Sequence, residues 1–167
     1  MDHITAERAP IHLRVFKYWV PVVAMLGLMY YFSTDVFSAD NTRGVIEKIF
    51  LWFVPHATKH ALATLNYVVR KSAHFIEYAV LGAFLFRAYR ADHPTRWRLK
   101  WALYSFLTAG AWALLDEFHQ TLTRNRGGSI WDSLIDSSGA FFMLAAIAIV
   151  YRTPGRTAGQ DATQLQA

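Results

Sequence analysis

The chain of 167 residues contains no cysteine and few charged side chains. The absence of cysteine excludes a disulfide framework and a thiolate metal site. Charged residues make up 17% of the chain, whereas apolar residues make up 54% and aromatic residues 16%. This balance is more apolar than that of an ordinary soluble domain. We therefore expect a single all-α domain that is embedded in a membrane.

The sequence also lacks a nucleotide-binding motif and a concentrated basic patch. It has neither a phosphate-cradling glycine loop nor a dinucleotide fingerprint, and Gly127-Gly128 is typical of a turn. The formal net charge is +5, but the basic residues lie between the apolar runs. This distribution suits lipid headgroups and topology control. We expect the lipid bilayer as a partner and no nucleic acid, and the oligomeric state stays open.

Four apolar runs are predicted to cross the membrane as a four-helix bundle: residues 18–32, 73–89, 101–115 and 130–151. The first run is shorter than the roughly 20 residues that a span needs, and its flanks from 15 to 34 make it long enough. An additional helical segment at 44–69 is amphipathic, and Pro55 is expected to break it in two. We expect this segment to be interfacial or re-entrant, with a helix that packs over the bundle as an equal alternative.

Lysine and arginine counts set the predicted topology. The excess of cations is clearest in the short connection 87–100, which carries five of them. Because cytoplasmic loops are enriched in these residues, we predict a multi-pass protein of the inner (cytoplasmic) membrane with both termini inside. The predicted organisation is a cytoplasmic tail at 1–14, a membrane domain at 15–152 and a disordered tail at 153–167.

The last three predicted spans each carry polar residues towards their outer ends. Helical geometry aligns one polar stripe on each helix: Lys71, His74 and Tyr78 with Glu77 at its edge; Asp116, His119 and Gln120; and Asp132 and Asp136. Glu117 is turned about 100° from its stripe, so we expect it to be solvated or paired along its own helix. Gly139-Ala140 is expected to let another helix approach closely. We expect the three stripes to meet in one outward-facing pocket.

Two segments resemble the motifs of the VanZ-like family of bacterial membrane proteins. The first motif is matched by Lys71-Ser-Ala-His74-Phe75-x-Glu77-Tyr78-x-x-Leu81-Gly82. The second is matched by Asp116-Glu117-Phe118-His119-Gln120, then Arg126, Asp132, Asp136 and Gly139-Ala140. The family's usual Pro-Gly-Arg triplet is Arg124-Asn125-Arg126 here, so Arg126 takes the arginine position.

The resemblance covers roughly residues 15–151. It implies a small multi-span protein of the cell envelope. The family takes its name from a member linked to low-level resistance to the antibiotic teicoplanin, a glycopeptide. The resemblance therefore implies a fold and a cellular context but no particular reaction.

The first functional hypothesis is a site for an anionic lipid or a lipid-linked, glycopeptide-related intermediate, with a phosphate or acyl reaction at the outer leaflet. Lys71 and Arg126 would hold phosphate oxygens. The candidate ligand-binding residues are Lys71, Tyr78, Gln120, Arg126 and Asp132. The candidate catalytic residues, which would transfer protons or activate water, are His74, Glu77, Asp116, His119 and Asp136.

Two other hypotheses use the same residues. In the first, the pairs His74 with Glu77 and Asp116 with His119 hold a divalent metal, and Asp132 or Asp136 completes the shell. We rank this below the metal-free hypothesis, in which no cofactor is needed. In the second, the charged residues form an ionic lock between helices, or a non-catalytic site for antibiotic or lipid. Whether the protein is an enzyme stays open at this point.

Overall fold

The computed structural model describes residues 10–34, 39–122 and 129–152. These ranges contain five helices and no strand, which confirms the all-α prediction. The helices are α1 (Ile11–Phe32), α2 (Ala39–Phe53), α3 (Lys59–Arg90), α4 (Leu99–Thr121) and α5 (Ile130–Arg152). The predicted C-terminal tail, most of the N-terminal tail and Arg126 lie outside the described residues.

Helix α1 begins four residues before the predicted boundary. Pro10 precedes Ile11 with φ of −55°, close to the angle that a proline ring imposes. A proline suits this place because the first backbone N–H groups of a helix have no partner within it. The polar residues His12 and Arg14 therefore belong to the first helix.

Pro55 interrupts the helical pattern of residues 44–69, as predicted. Helix α2 ends at Phe53, and α3 begins at Lys59. The Thr58 hydroxyl caps α3 by accepting a hydrogen bond from the backbone N–H of Ala61 at 3.2 Å. The two halves of the amphipathic segment thus belong to different helices.

The second half of the amphipathic segment and the predicted second span are joined in one helix, which the sequence pattern did not predict. Residues 59–90 form one continuous helix of 32 residues. They include no proline, and Gly82 is their single glycine, so nothing in the sequence ends the helix near residue 70. Helix α2 packs beside the first part of α3, where Asn66 Nδ2 donates to Glu47 Oε1 at 3.4 Å.

Helices α3 and α5 run parallel at the centre of the fold. Lys71 Nζ, in the first half of α3, lies 2.6 Å from Asp132 Oδ1 near the beginning of α5. Near their ends, the ring centroids of Phe86 and Tyr151 lie 6.3 Å apart. We call the Lys71–Asp132 side of the bundle the carboxylate end and the Phe86–Tyr151 side the basic end.

Helices α1 and α4 run antiparallel to this central pair. Ser133 Oγ of α5 donates to the Ala113 carbonyl of α4 at 3.3 Å. The rings of Trp19 and Tyr89 meet edge to face at 5.4 Å between α1 and α3. The beginning of α1 and the end of α5 therefore lie together at the basic end.

Close packing between α3 and α5 depends on Gly139. A Cβ atom at this position would lie 2.1 Å from the carbonyl oxygen of Phe75, far inside van der Waals contact. At Gly82 an added Cβ would lie 3.2 Å from Ala140 Cα. The expected close approach at Gly139-Ala140 is confirmed, and it brings the polar stripes of the two helices together.

The surface of the bundle is largely apolar, and its interior combines an apolar core with buried polar residues. Leu107, Phe142 and Ile149 are among many large apolar side chains that are exposed. The buried polar residues are Ser33, Asn66, Ser105, Asp116, Glu117, Gln120, Ser133 and Asp136. Two helices, Ile11–Phe32 and Ile130–Tyr151, are long and apolar enough to cross a membrane. Extended exposed apolar surface of this kind is typical of contact with lipid or another protein.

At the basic end, Asp92, which follows α3, connects that helix to α1. The Tyr18 hydroxyl donates a hydrogen bond to this carboxylate, and Arg14 Nε lies 2.9 Å from it. Lys17 Nζ lies 3.6 Å away. The hydrogen bond from Tyr18 and then the two cations hold the pKa of Asp92 below its ordinary value of 3.8.

Replacing Gly139 with alanine should destabilise the protein strongly. The added methyl group would meet the Phe75 carbonyl oxygen at 2.1 Å, so α3 and α5 must separate. We expect a loss of at least about 3 kcal/mol, the upper part of the range for an overpacked core. The matched control is Gly27→Ala, where nothing lies within 4 Å. Equal thermal unfolding of both variants in detergent would contradict this packing.

The Asp92→Asn variant should be less stable than the parent at neutral pH. Because the folded-state pKa of Asp92 is lowered, its contribution is complete above pH 3.8 and is lost as the pH falls through the lowered value. Thermal unfolding should therefore show a gap between the two proteins at neutral pH that closes in strong acid. A gap that persists unchanged in acid would exclude the ionised carboxylate as its cause.

Candidate functional site

The outermost polar contact at the carboxylate end is an ion pair between α3 and α5. Lys71 Nζ and Asp132 Oδ1 lie 2.6 Å apart, and both side chains are about one-quarter exposed, at 22% and 27%. The Lys71 ammonium group also lies 5.6 Å from the ring centroid of Tyr67. Two predicted ligand-binding residues, Lys71 and Asp132, therefore contact each other at the edge of the site.

One turn deeper, three helices bring His74, Asp116 and Asp136 together. We call these residues the His-Asp-Asp cluster. One ligand atom of each lies within 4.8 Å of the other two, and His74 Nδ1 is 3.8 Å from Asp136 Oδ1. Asp116 is 7% exposed and Asp136 is 2% exposed. Three of the five predicted catalytic residues thus form one group, in which the two aspartates are buried and His74 is partly buried.

Two further predicted residues support the cluster. Gln120 is buried and donates a hydrogen bond from Nε2 to Asp116 Oδ2 at 3.0 Å. Because the two residues are one turn apart on α4, this contact fixes the orientation of the carboxylate. Tyr78 follows His74 by one turn on α3 and is fully buried.

Two polar atoms, one in the cluster and one on Tyr78, are left unsatisfied by the described residues. Asp136 Oδ2 and the Tyr78 hydroxyl are both buried and have no hydrogen-bond partner among these residues. The hydroxyl lies within electrostatic range of Asp136 and Asp116. A buried polar group without a partner costs free energy, so these atoms indicate a missing ligand, water or proton.

Glu117 does not lie where the sequence pattern placed it. It was expected to be solvated or paired along its helix, but it is 6% exposed and accepts a hydrogen bond from the backbone N–H of Ser129 at 2.7 Å. Ser129 immediately precedes α5, so the carboxylate meets the positive end of that helix dipole. Glu117 therefore joins the end of α4 to the beginning of α5.

His119 turns away from the cluster towards α1. Its Nδ1 atom lies 3.5 Å from Ser33 Oγ, and its ring centroid lies 4.8 Å from that of Tyr30. The metal set that paired Asp116 with His119 is therefore not the one that the helices assemble. Glu77 is partly buried on α3 and is not one of the three clustered ligands. Arg126 lies outside the described residues.

An apolar groove adjoins Lys71 on the outside of α3. It has a volume of about 450 Å³, and its walls include Val68, Phe75, Ile76 and Ile135. A cation at the edge of an apolar groove suits an amphiphile with an anionic headgroup. No motif in the sequence indicated this groove, because its walls come from two separate helices.

A second cavity lies at the basic end. It has a volume of about 610 Å³, and Lys17, Arg87 and Arg90 contribute to its walls. The Arg87 guanidinium lies 5.3 Å from the ring centroid of Tyr18, and that of Arg90 lies 5.8 Å from Tyr151. As a sequence pattern, these cations indicate topology. Their spacing along α3, with Arg87 and Arg90 on one face, was the signal for a shared pocket.

The fold and the site define a small all-helical protein with an apolar outer surface and a buried carboxylate–imidazole cluster between three helices. The sequence profile of the VanZ/LLP1 family matches residues 18–151. The chain belongs to this family, which confirms the resemblance seen in its motifs. No curated protein and no solved structure matches the chain significantly.

Replacing Glu117 with alanine should destabilise the junction between α4 and α5. The change removes the acceptor that lies 2.7 Å from the Ser129 N–H, and a donor left without its partner costs about 1–3 kcal/mol. The matched variant is Glu117→Gln, whose amide oxygen still accepts this bond but carries no charge. Unfolding by heat in detergent should rank the parent above Glu117→Gln and that variant above Glu117→Ala. A Glu117→Ala protein as stable as the parent would contradict the capping role.

Proposed function

We propose that this protein is a four-span envelope protein that binds the phosphate-bearing headgroup of an amphiphile at its carboxylate end. The spans would be α1, the second part of α3, α4 and α5. The observation that carries this proposal is the set of polar side chains inside the bundle, in which Lys71 and the His-Asp-Asp cluster lie between three helices whose outer surfaces are apolar. Intramembrane ionisable residues are expensive and mark functional sites by default.

Helices α3 and α4 are not among the helices that are apolar enough by composition to cross a membrane, but this is compatible with the proposal. Their carboxylates and cations lower the mean hydropathy, yet Asp116 and Glu117 are buried rather than lipid-facing. A helix of 32 residues is about 48 Å long, whereas the hydrocarbon core is about 30 Å thick. The first part of α3 would therefore extend beyond the core, beside α2.

The proposed orientation places the basic end in the cytoplasm, so that both termini lie inside. Arg14, Lys17, Arg87 and Arg90 all belong to this end. Because cytoplasmic segments are enriched in lysine and arginine, the carboxylate end would face outward. This topology fits an inner-membrane protein whose ligand comes from the outer leaflet.

Lys71 supports the proposed ligand class. It is partly exposed, and it lies at the edge of the apolar groove of about 450 Å³. The ammonium group would exchange Asp132 for a phosphate oxygen while the groove accepts an acyl or prenyl chain. A lipid-linked envelope intermediate, including one that a glycopeptide antibiotic would target, has this chemistry. Binding is the function that the geometry supports best, and His74 would be the proton carrier of any reaction there.

An ionic lock is the second candidate function, and the Lys71–Asp132 contact of 2.6 Å favours it. In that case the pair would hold α3 and α5 together and bind no ligand. Charge exchange separates the two functions. The double variant Lys71→Asp with Asp132→Lys keeps an ion pair, but it moves the cation from the groove on α3 to the other helix.

Native mass spectrometry of the full chain, purified with phosphatidylcholine and dioleoyl phosphatidic acid, tests the proposed binding. Lys71→Gln should lower retention of phosphatidic acid about tenfold, the loss of one charge-assisted hydrogen bond. Lys59→Gln is the matched control, because Lys59 lies on the same helix and is exposed. Excess inorganic phosphate should not displace the lipid if the groove contributes.

The same experiment can contradict the proposal. If Lys71→Gln and Lys59→Gln retain the lipid equally, Lys71 is not its ligand. If the charge-exchanged double variant keeps both stability and lipid retention, the position of the cation has no role. A loss of stability in Lys71→Gln that the charge exchange restores, without any effect on lipid, would establish the ionic lock.

A further inference from the structure

The His-Asp-Asp cluster holds two buried carboxylates close together. Asp116 and Asp136 are 7% and 2% exposed, and each offers an atom within 4.8 Å of the other. The nearest lysine, Lys71, does not neutralise this pair, because its Nζ atom already lies 2.6 Å from Asp132 Oδ1. That ion pair is one helical turn further out than the cluster. Burying ionised carboxylates costs several kcal/mol each unless positive charge accompanies them. Two protons or one divalent cation would supply that charge.

The arrangement of donor atoms favours the cation. One nitrogen and two oxygens converge from three different helices, and His74 Nδ1 lies 3.8 Å from Asp136 Oδ1. Ligand atoms on a tetrahedral zinc ion with bonds of about 2.1 Å lie about 3.4 Å apart. Small rotations of the three side chains therefore bring their donors into coordinating positions without any movement of the helices.

Two unsatisfied atoms point to a ligand independently of this spacing. Asp136 Oδ2 and the Tyr78 hydroxyl are buried and have no hydrogen-bond partner in the described part of the chain. Asp136 is 2% exposed and Tyr78 is fully buried, so bulk water does not satisfy either atom. A bound cation would accept a lone pair from the carboxylate, and its water ligand would hydrogen-bond to the hydroxyl.

Gln120 adds the support that metal ligands require. Its amide donates to Asp116 Oδ2 at 3.0 Å, which holds the carboxylate in place beside the cluster. Hydrogen bonds of this kind orient ligands and tune metal affinity. Helix-bundle metal sites are built in the same way, from inward-facing carboxylates and histidines on several helices.

We propose that His74, Asp116 and Asp136 bind one divalent metal ion in the interior of the bundle. The mixed imidazole and carboxylate set suits Zn²⁺ or Mn²⁺ better than Ca²⁺, which prefers oxygen ligands alone. Three protein ligands leave at least one coordination position for water or an oxygen of a bound phosphate. The proposal does not depend on lipid binding at Lys71, because all three ligands lie deeper in the bundle.

Metal titration of the full chain in detergent tests this site, with any affinity tag removed and metal stripped by a chelator. Mn²⁺ is followed by electron paramagnetic resonance, and Zn²⁺ by calorimetry. We expect one equivalent of either ion to bind. Asp136→Asn and His74→Gln should each lower the affinity by more than about tenfold, since even an outer hydrogen-bond partner contributes that much.

His119→Gln is the matched histidine control, because this side chain contacts Ser33 rather than the cluster. It should bind the metal as the parent does. A second measurement uses the parent alone and does not rely on variants that fold poorly. Pulsed electron paramagnetic resonance of the Mn²⁺-loaded protein should show coupling between the Mn²⁺ electron spin and one imidazole nitrogen.

Three results would overturn the metal site. They are no binding of Mn²⁺ or Zn²⁺ by the parent, unchanged binding by a folded Asp136→Asn variant, or Mn²⁺ bound without nitrogen coupling. Lipid retention by native mass spectrometry is measured on the same metal-stripped protein. The two proposals therefore fail separately, because loss of lipid binding leaves the metal titration intact.

Discussion

The constraint on which this fold depends is the burial of Asp116 and Asp136 between three helices. An ionised carboxylate facing lipid is strongly unfavourable, and one facing a protein interior needs partners. The helices meet this requirement by turning their polar stripes inward and their leucine, isoleucine and phenylalanine side chains outward. The bundle thus buries polar side chains beside an apolar core that includes Leu81, Ala109 and Ala140. The cluster and this core both lie on the faces where α3, α4 and α5 meet.

Small residues make this arrangement sterically feasible. Gly139 lets the backbone of α5 approach the Phe75 carbonyl, and Gly82 faces Ala140 one layer further along. In the proposed membrane environment, where the hydrophobic driving force between helices is weak, close backbone packing would be a principal source of association. The same approach places His74 within 3.8 Å of Asp136. Packing and site geometry are therefore two consequences of one contact, and a change in either is expected to disturb the other.

Much of the fold follows from local sequence patterns. Pro55 separates two helices because it lacks a backbone N–H, and the polar stripes of α3, α4 and α5 follow from 3.6 residues per turn. The continuity of α3 from Lys59 to Arg90 was not predicted from these patterns. The change in composition near residue 70 resembled a boundary, although no proline or glycine ends the helix there. A change in polarity along the sequence indicates where a helix leaves an apolar environment. It does not indicate where the helix ends.

The parts of the site that sequence patterns missed depend on neighbours distant in the chain. Glu117 is buried and accepts a hydrogen bond from Ser129, which is 12 positions away, and periodicity within α4 contains no information about that contact. His119 shares a stripe with Asp116, yet it contacts Ser33, which is 86 positions away. A stripe on one helix spans a wide arc, so its members can face different partners. Which helix lies opposite each residue is a property of the assembled bundle.

Disulfide trapping in native membranes tests the central claim most directly, since the chain has no cysteine of its own. Gly110→Cys with Ser137→Cys links α4 to α5, where a Cβ on Gly110 lies 3.7 Å from Ser137 Oγ. Gly82→Cys with Ala140→Cys links α3 to α5. Both pairs should oxidise rapidly, whereas Gly27→Cys with Ser137→Cys should not. Failure of both pairs, or equal linkage through Gly27→Cys, would show that the three helices do not bring the cluster together.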